Sequence, residues 1–74
     1  MEIEEIERLI KQAIPDAIVR AQTGDGRHYQ AEVISSAFEG LPRVRQHQMV
    51  YAALGEKLGS DELHAFALTT RTSE

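Results

Sequence analysis

Seventy-four residues suffice for one domain, so a single hydrophobic core and one functional surface are the most this chain carries. With no cysteine there is no disulfide, no self-contained iron–sulfur centre on thiolates and no cysteine nucleophile, and any redox chemistry must arrive with a partner. The formal charge of −4 argues against broad attraction to nucleic acid or anionic lipid, although Arg43, Arg45 and Lys57 lie where acidic residues are sparse.

The opening MEIEEIERLIKQ is charged and periodic, with neither the pattern of a secretory signal nor the apolar length of a membrane span. A cytoplasmic protein is the default expectation. Over residues 2–14, Ile3, Ile6, Leu9/Ile10 and Ala13/Ile14 recur at spacings of three and four between charged positions, which predicts a surface helix with one buried stripe. Early glutamates and a late lysine suit its dipole, and Pro15 and Asp16 end it. Ile18–Thr23 and Tyr29–Ser35 read as strands, the second because Tyr29, Ala31 and Val33 alternate with Gln30, Glu32 and Ile34. Gly24-Asp25-Gly26 between them can supply a left-handed turn, so the two form a hairpin and His28 stands where the second strand begins.

Ser36–Gly40 reads as a single helical turn anchored by Phe38, with Pro42 suited to the start of the next helix. From about Arg43 to Leu58, the residues Val44, His47, Val50/Tyr51, Leu54 and Leu58 recur at helical spacing, and Gly59 is the expected stop. Leu63–Thr70 reads as a third strand, and residues 71–74 as a flexible tail. The order helix, strand, strand, helix, strand is an α+β layer in one domain spanning 1–74, its helices covering one face of a three-stranded mixed sheet. A helix joining strands two and three favours parallel pairing, which would bring the starts of both strands, and with them His28 and His64, to one edge.

The stretch "AEVISSAFEGLPRVRQHQMVYAAL", residues 31–54, and "ELHAFALTT", residues 62–70, resemble the BolA family, with Phe38, Gly40, His47, Val50 and Tyr51 matching its central pattern. "TGDGRHYQ" and "RVRQHQ" resemble the branch with a histidine in the hairpin loop; Gln46 stands where other branches carry arginine. The resemblance implies a fold like the second class of KH domains. It also implies a non-catalytic partner of a monothiol glutaredoxin in coordinating, trafficking or sensing iron as a [2Fe–2S] cluster. His64 and His28 would be ligands shared with the partner's cysteine and glutathione, and the isolated chain would hold no cofactor. An alternative is a DNA-binding transcriptional regulator using Arg43 and Arg45, although Gly40-Leu41-Pro42-Arg43 lacks the second glycine of a KH clamp.

Each residue also has a plainer reading. His64 could be a polar strand-start residue, His28 a solvated hairpin residue, and Arg43 and Arg45 a solvated helix face. His47 is expected to be partly buried and hydrogen-bonded to the fold, Tyr51 a packed aromatic with an accessible hydroxyl, and Asp25 a turn stabiliser. Nothing in the sequence points to a homodimer, a membrane partner or a coupled catalytic set, so no enzyme is expected.

Overall fold

The computed structural model describes residues 2–55 and 66–73. In chain order it contains α1 (Ile3–Ala13), β1 (Ile18–Thr23), β2 (Tyr29–Ile34), a 3-10 turn η1 (Ser36–Phe38), α2 (Arg43–Leu54) and β3 (Phe66–Arg71). The strands form one sheet in the order β1-β2-β3. β1 and β2 are antiparallel, with Val19 opposite Val33 and Thr23 opposite Tyr29. β2 and β3 are parallel, with Tyr29 opposite Phe66 and Ile34 opposite Arg71. The expected α+β architecture with a mixed sheet is what the chain adopts.

The period of two along each strand sorts side chains onto two faces. Val19, Tyr29, Ala31, Val33 and Phe66 face the helices and join Ile6, Ile10, Ile14, Phe38, Val50 and Leu54 in one core. α1 carries the predicted stripe, with Ile6 and Ile10 buried and Ile3 and Leu9 packed beside them; Ala13 is exposed. The other face is polar. Glu32 at its centre pairs with Arg20 on β1 and Arg71 on β3, each at 3.0 Å, and Gln22 bonds Gln30 across the hairpin at 2.8 Å.

Two expectations need correction. α2 ends at Leu54, short of Leu58, because Gly55 takes a left-handed φ of 56° that closes the helix. Val44, which shares the helical spacing of Val50 and Leu54, does not share their burial and is 62 % exposed. The whole first turn of α2, Arg43 to Arg45, faces solvent, and the helix reaches the core only from its second turn onward, through Val50 and Leu54. Arg71, read as the first residue of a tail, closes β3: its carbonyl accepts the Ser35 N–H at 3.0 Å and its guanidinium meets Glu32.

Two contacts fix the direction of α2. Near its start, Gln46 Oε1 accepts the Thr70 hydroxyl at 2.6 Å, close to the end of β3. Further along, Tyr51 packs edge-on to Phe66 at the start of β3, with ring centroids 6.4 Å apart. The helix therefore runs against the parallel strands, and its N-terminus lies at the opposite end of the sheet from the β1–β2 turn.

Candidate functional site

The β1–β2 turn is held by side chains more than by its backbone. Gly26, at φ 75°, supplies the left-handed residue. Thr23 Oγ1 accepts the Gly26 N–H at 2.9 Å and donates to the His28 carbonyl at 2.7 Å, bracketing the turn from the end of β1. The Tyr29 hydroxyl donates to the Gly26 carbonyl at 3.0 Å, while its ring lies in the core stacked on Phe66 with centroids 6.3 Å apart.

Asp25 sits inside this frame. Its Oδ1 accepts the backbone N–H groups of Arg27 and His28 at 2.8 and 2.9 Å, and its Oδ2 lies 2.9 Å from Nδ1 of the His28 ring. The His28 N–H, then the His28 ring and the Arg27 N–H, hold the Asp25 carboxyl well below the usual carboxylate range, so it is ionised. The turn-stabilising part expected of Asp25 is present, and the ring contact is additional to it. Both side chains remain accessible, His28 at 76 % and Asp25 at 54 %. A shallow hollow beside them is lined by Gln22, Thr23, Gly24, Asp25, His28 and Gln30.

His28 precedes Tyr29, and Tyr29 pairs with Phe66, so the predicted meeting of the two strand starts at one edge is observed. His64 lies outside the described residues, as do Lys57, Leu58 and Gly59. Among the described residues no three His, Cys, Asp or Glu side chains gather in a way that could hold a metal ion. Among the described residues the edge offers one accessible imidazole, that of His28, which can join a coordination sphere completed from elsewhere but cannot form one.

The remaining singled-out residues lie away from this edge or beneath it. Phe38 is fully buried, and Gly40 at φ 78° turns the chain toward α2. Tyr51 is half-buried between Phe66 and His47, meeting the latter edge-on at 6.3 Å. His47 is half-buried as expected, but its Nε2 is buried with no hydrogen-bond partner among the described residues, which corrects the expectation for that atom. Arg43 and Arg45 are exposed on the first turn of α2, and neither side chain has an ion-pair partner among the described residues. The six residues of β2 put roughly 17 Å of strand between their end of the sheet and His28.

Two residues do more than their sequence context suggested. The Gln46 amide donates to the Leu41 carbonyl at 2.8 Å and accepts from Thr70, tying the approach to α2 onto β3. Asp16 accepts the hydroxyls of Ser35 and Ser36 at 2.5 and 2.6 Å and the Ser36 N–H at 3.0 Å, locking the exit from α1 to the start of η1. The spacing of Asp25 and His28 is equally that of a plain turn and did not signal the ring contact; Thr70, the β3 partner of Gln46, and Ser35 and Ser36, the partners of Asp16, are distant in sequence and left no signal either.

The BolA family model, described as BolA-like protein, matches residues 5–74, and the chain belongs to that family. An uncharacterized protein of Haemophilus influenzae is 36 % identical over 74 residues, covering 100 % of this chain and 86 % of the relative. The acid stress protein IbaG of Escherichia coli is 32 % identical over 72 residues, covering 97 % of this chain and 84 % of the relative. The solved structure of a bolA protein homologue from Coxiella burnetii superposes with a TM-score of 0.78 at 36 % identity, covering 97 % of this chain and 91 % of that one. BolA family proteins are non-catalytic adaptor and regulatory proteins. No helix among the described residues is long and apolar enough to cross a membrane.

Proposed function

We propose that this chain, as a BolA family protein of the branch with a histidine in the hairpin loop, is a partner of a monothiol glutaredoxin in handling a [2Fe–2S] cluster. His28 and His64 supply imidazole nitrogen to a cluster whose remaining ligands are thiolates of the glutaredoxin and glutathione. The observation that carries this reading is the parallel Tyr29–Phe66 pairing, whose sequence neighbours are His28 one residue before Tyr29 and His64 two residues before Phe66. The exposure of the His28 ring and the absence of cysteine support a shared site. Exchanging thiolate for imidazole on iron raises the cluster potential and makes its ligation sensitive to protonation, which suits a role in cluster transfer or iron sensing.

The test is anaerobic visible absorption and circular dichroism after mixing the chain with cluster-loaded monothiol glutaredoxin of the same organism. The wild type is expected to give a new spectrum that His64→Ala abolishes or alters and His28→Ala perturbs. A spectrum unchanged from that of the glutaredoxin alone would reject the reading.

DNA binding is the second reading, favoured by Arg43 and Arg45 standing exposed on the first turn of α2 with no ion-pair partner among the described residues. It predicts salt-sensitive, site-preferring binding that weakens when both arginines are replaced by alanine. Its surface lies at the far end of the sheet from His28, so the two readings do not compete for the same residues.

A further inference from the structure

Asp25 puts its two carboxylate oxygens to different uses. Oδ1 takes the backbone N–H groups of Arg27 and His28, which is all that the turn asks of it, and Oδ2 takes the His28 ring at Nδ1. The turn does not depend on that ring contact, since Thr23 and Tyr29 brace it independently through Gly26 and the His28 carbonyl. A neutral imidazole carries one proton, and only its other nitrogen offers a lone pair to a metal. An ionised carboxylate accepts and cannot donate, so the proton in the 2.9 Å contact stands on Nδ1. Nε2 is then the bare nitrogen, with no hydrogen-bond partner among the described residues.

We propose that Asp25 is the positioning residue for His28: it fixes the Nδ1–H tautomer and the ring's orientation, so that Nε2 is presented as a ready donor to iron carried by a thiolate-bearing partner. The inference rests on the reading of His28 as a cluster ligand. Outer carboxylates orient imidazole ligands in this way in metal sites generally, and here the carboxylate is itself held by two backbone N–H groups before any partner arrives. Its position does not have to be acquired on binding.

Asp25→Asn separates this role from a structural one. The amide oxygen can replace Oδ1 toward the two backbone N–H groups, and the turn is kept. The amide nitrogen then faces the ring and donates, Nδ1 must accept, and the ring proton moves to Nε2. Turning the amide around would aim its NH₂ at two backbone donors, so that arrangement is disfavoured.

The first measurement is ¹⁵N–¹H correlation of the imidazole in the free, labelled chain at about pH 8.5, roughly two units above the ordinary imidazole range. The wild type is expected to be protonated at Nδ1 and bare at Nε2, and Asp25→Asn the reverse, with the Arg27 and His28 amide signals little moved. A wild-type ring protonated at Nε2, or a tautomer unchanged in Asp25→Asn, overturns the proposal. The second measurement titrates cluster-loaded monothiol glutaredoxin against wild type, Asp25→Asn and His28→Ala, followed by visible circular dichroism. Asp25→Asn is expected to bind about 10- to 100-fold more weakly, as loss of an outer carboxylate typically does. If His28→Ala weakens binding and Asp25→Asn does not, the positioning role is overturned. If His28→Ala itself binds as wild type does while the tautomers behave as expected, the ligand reading of His28 falls, and with it the metal part of the proposal.

Discussion

Where β2 ends, Ile34 runs into a buried Ser35, Phe38 fills the core, Asp16 takes two serine hydroxyls and a backbone N–H, and Gln46 bridges Leu41 to Thr70. Where β2 begins, Asp25 and His28 make a comparably dense set of hydrogen bonds, yet both side chains stay more than half exposed and only the Tyr29 ring reaches inward. The same bond type serves opposite ends. Bridging separate elements beside the core, as from Asp16 to Ser35 and from Gln46 to Thr70, polar contacts fix how those elements meet; confined to an exposed turn, they hold a functional group in one orientation at little cost to anything beneath it. The first end should respond to mutation through stability, and the second through binding.

Phe38→Ala is the strongest way to press that comparison. Removing a fully buried ring from the closed end should cost about 3–5 kcal/mol, read as a drop in the denaturant midpoint. Gln46→Ala should cost on the order of 1–2 kcal/mol, since it leaves the Leu41 carbonyl and the Thr70 hydroxyl without their partner. Gly26→Ala probes the open end: a Cβ there meets nothing within 4 Å, so the loss comes from the left-handed backbone alone, about 1 kcal/mol. A Gly26→Ala loss exceeding that of Phe38→Ala would break the comparison outright.

Acid sharpens it further. Hydrogen bonds from the Ser35 hydroxyl first, then the Ser36 hydroxyl and N–H, lower the Asp16 carboxyl from its ordinary value of 3.8. A depressed folded value means the stabilisation is complete above the unfolded value near 3.8 and fades as pH falls through the folded one. The melting-temperature gap between wild type and Asp16→Asn should therefore be constant near neutrality and close in strong acid. The smallest expected effect belongs to His28→Ala, whose melting temperature should match the wild type even where cluster binding does not.

The uneven legibility of these regions in the sequence has a physical source. β1 was readable to the residue and β2 to within one, because strict alternation beside a glycine-rich turn leaves little freedom of register. The parallel edge followed from chain order alone. α2 was overextended because Leu58 continued a helical spacing that Gly55 had already interrupted, and the exposure of Val44 was not legible because periodicity names a stripe without saying how far along the helix the sheet extends. At the candidate site, His28 was visible through its place after the turn and through family resemblance. The ring contact with Asp25 was not, since identical spacing serves equally well for a plain turn. The bonds from Asp16 to Ser35 and from Gln46 to Thr70 were opaque because those partners lie 19 and 24 residues away.

The parallel pairing of β2 and β3 also sets an order of assembly. β1 and β2 close on each other across a short turn, a local event, whereas Phe66 reaches Tyr29 only by closing the much longer loop that contains η1 and α2. Closing that longer loop carries the larger entropic cost and comes late in folding. A chain still emerging from the ribosome possesses the turn and its histidine but not the edge beside them. Engagement of a partner at this edge would thus certify that the whole domain has been completed.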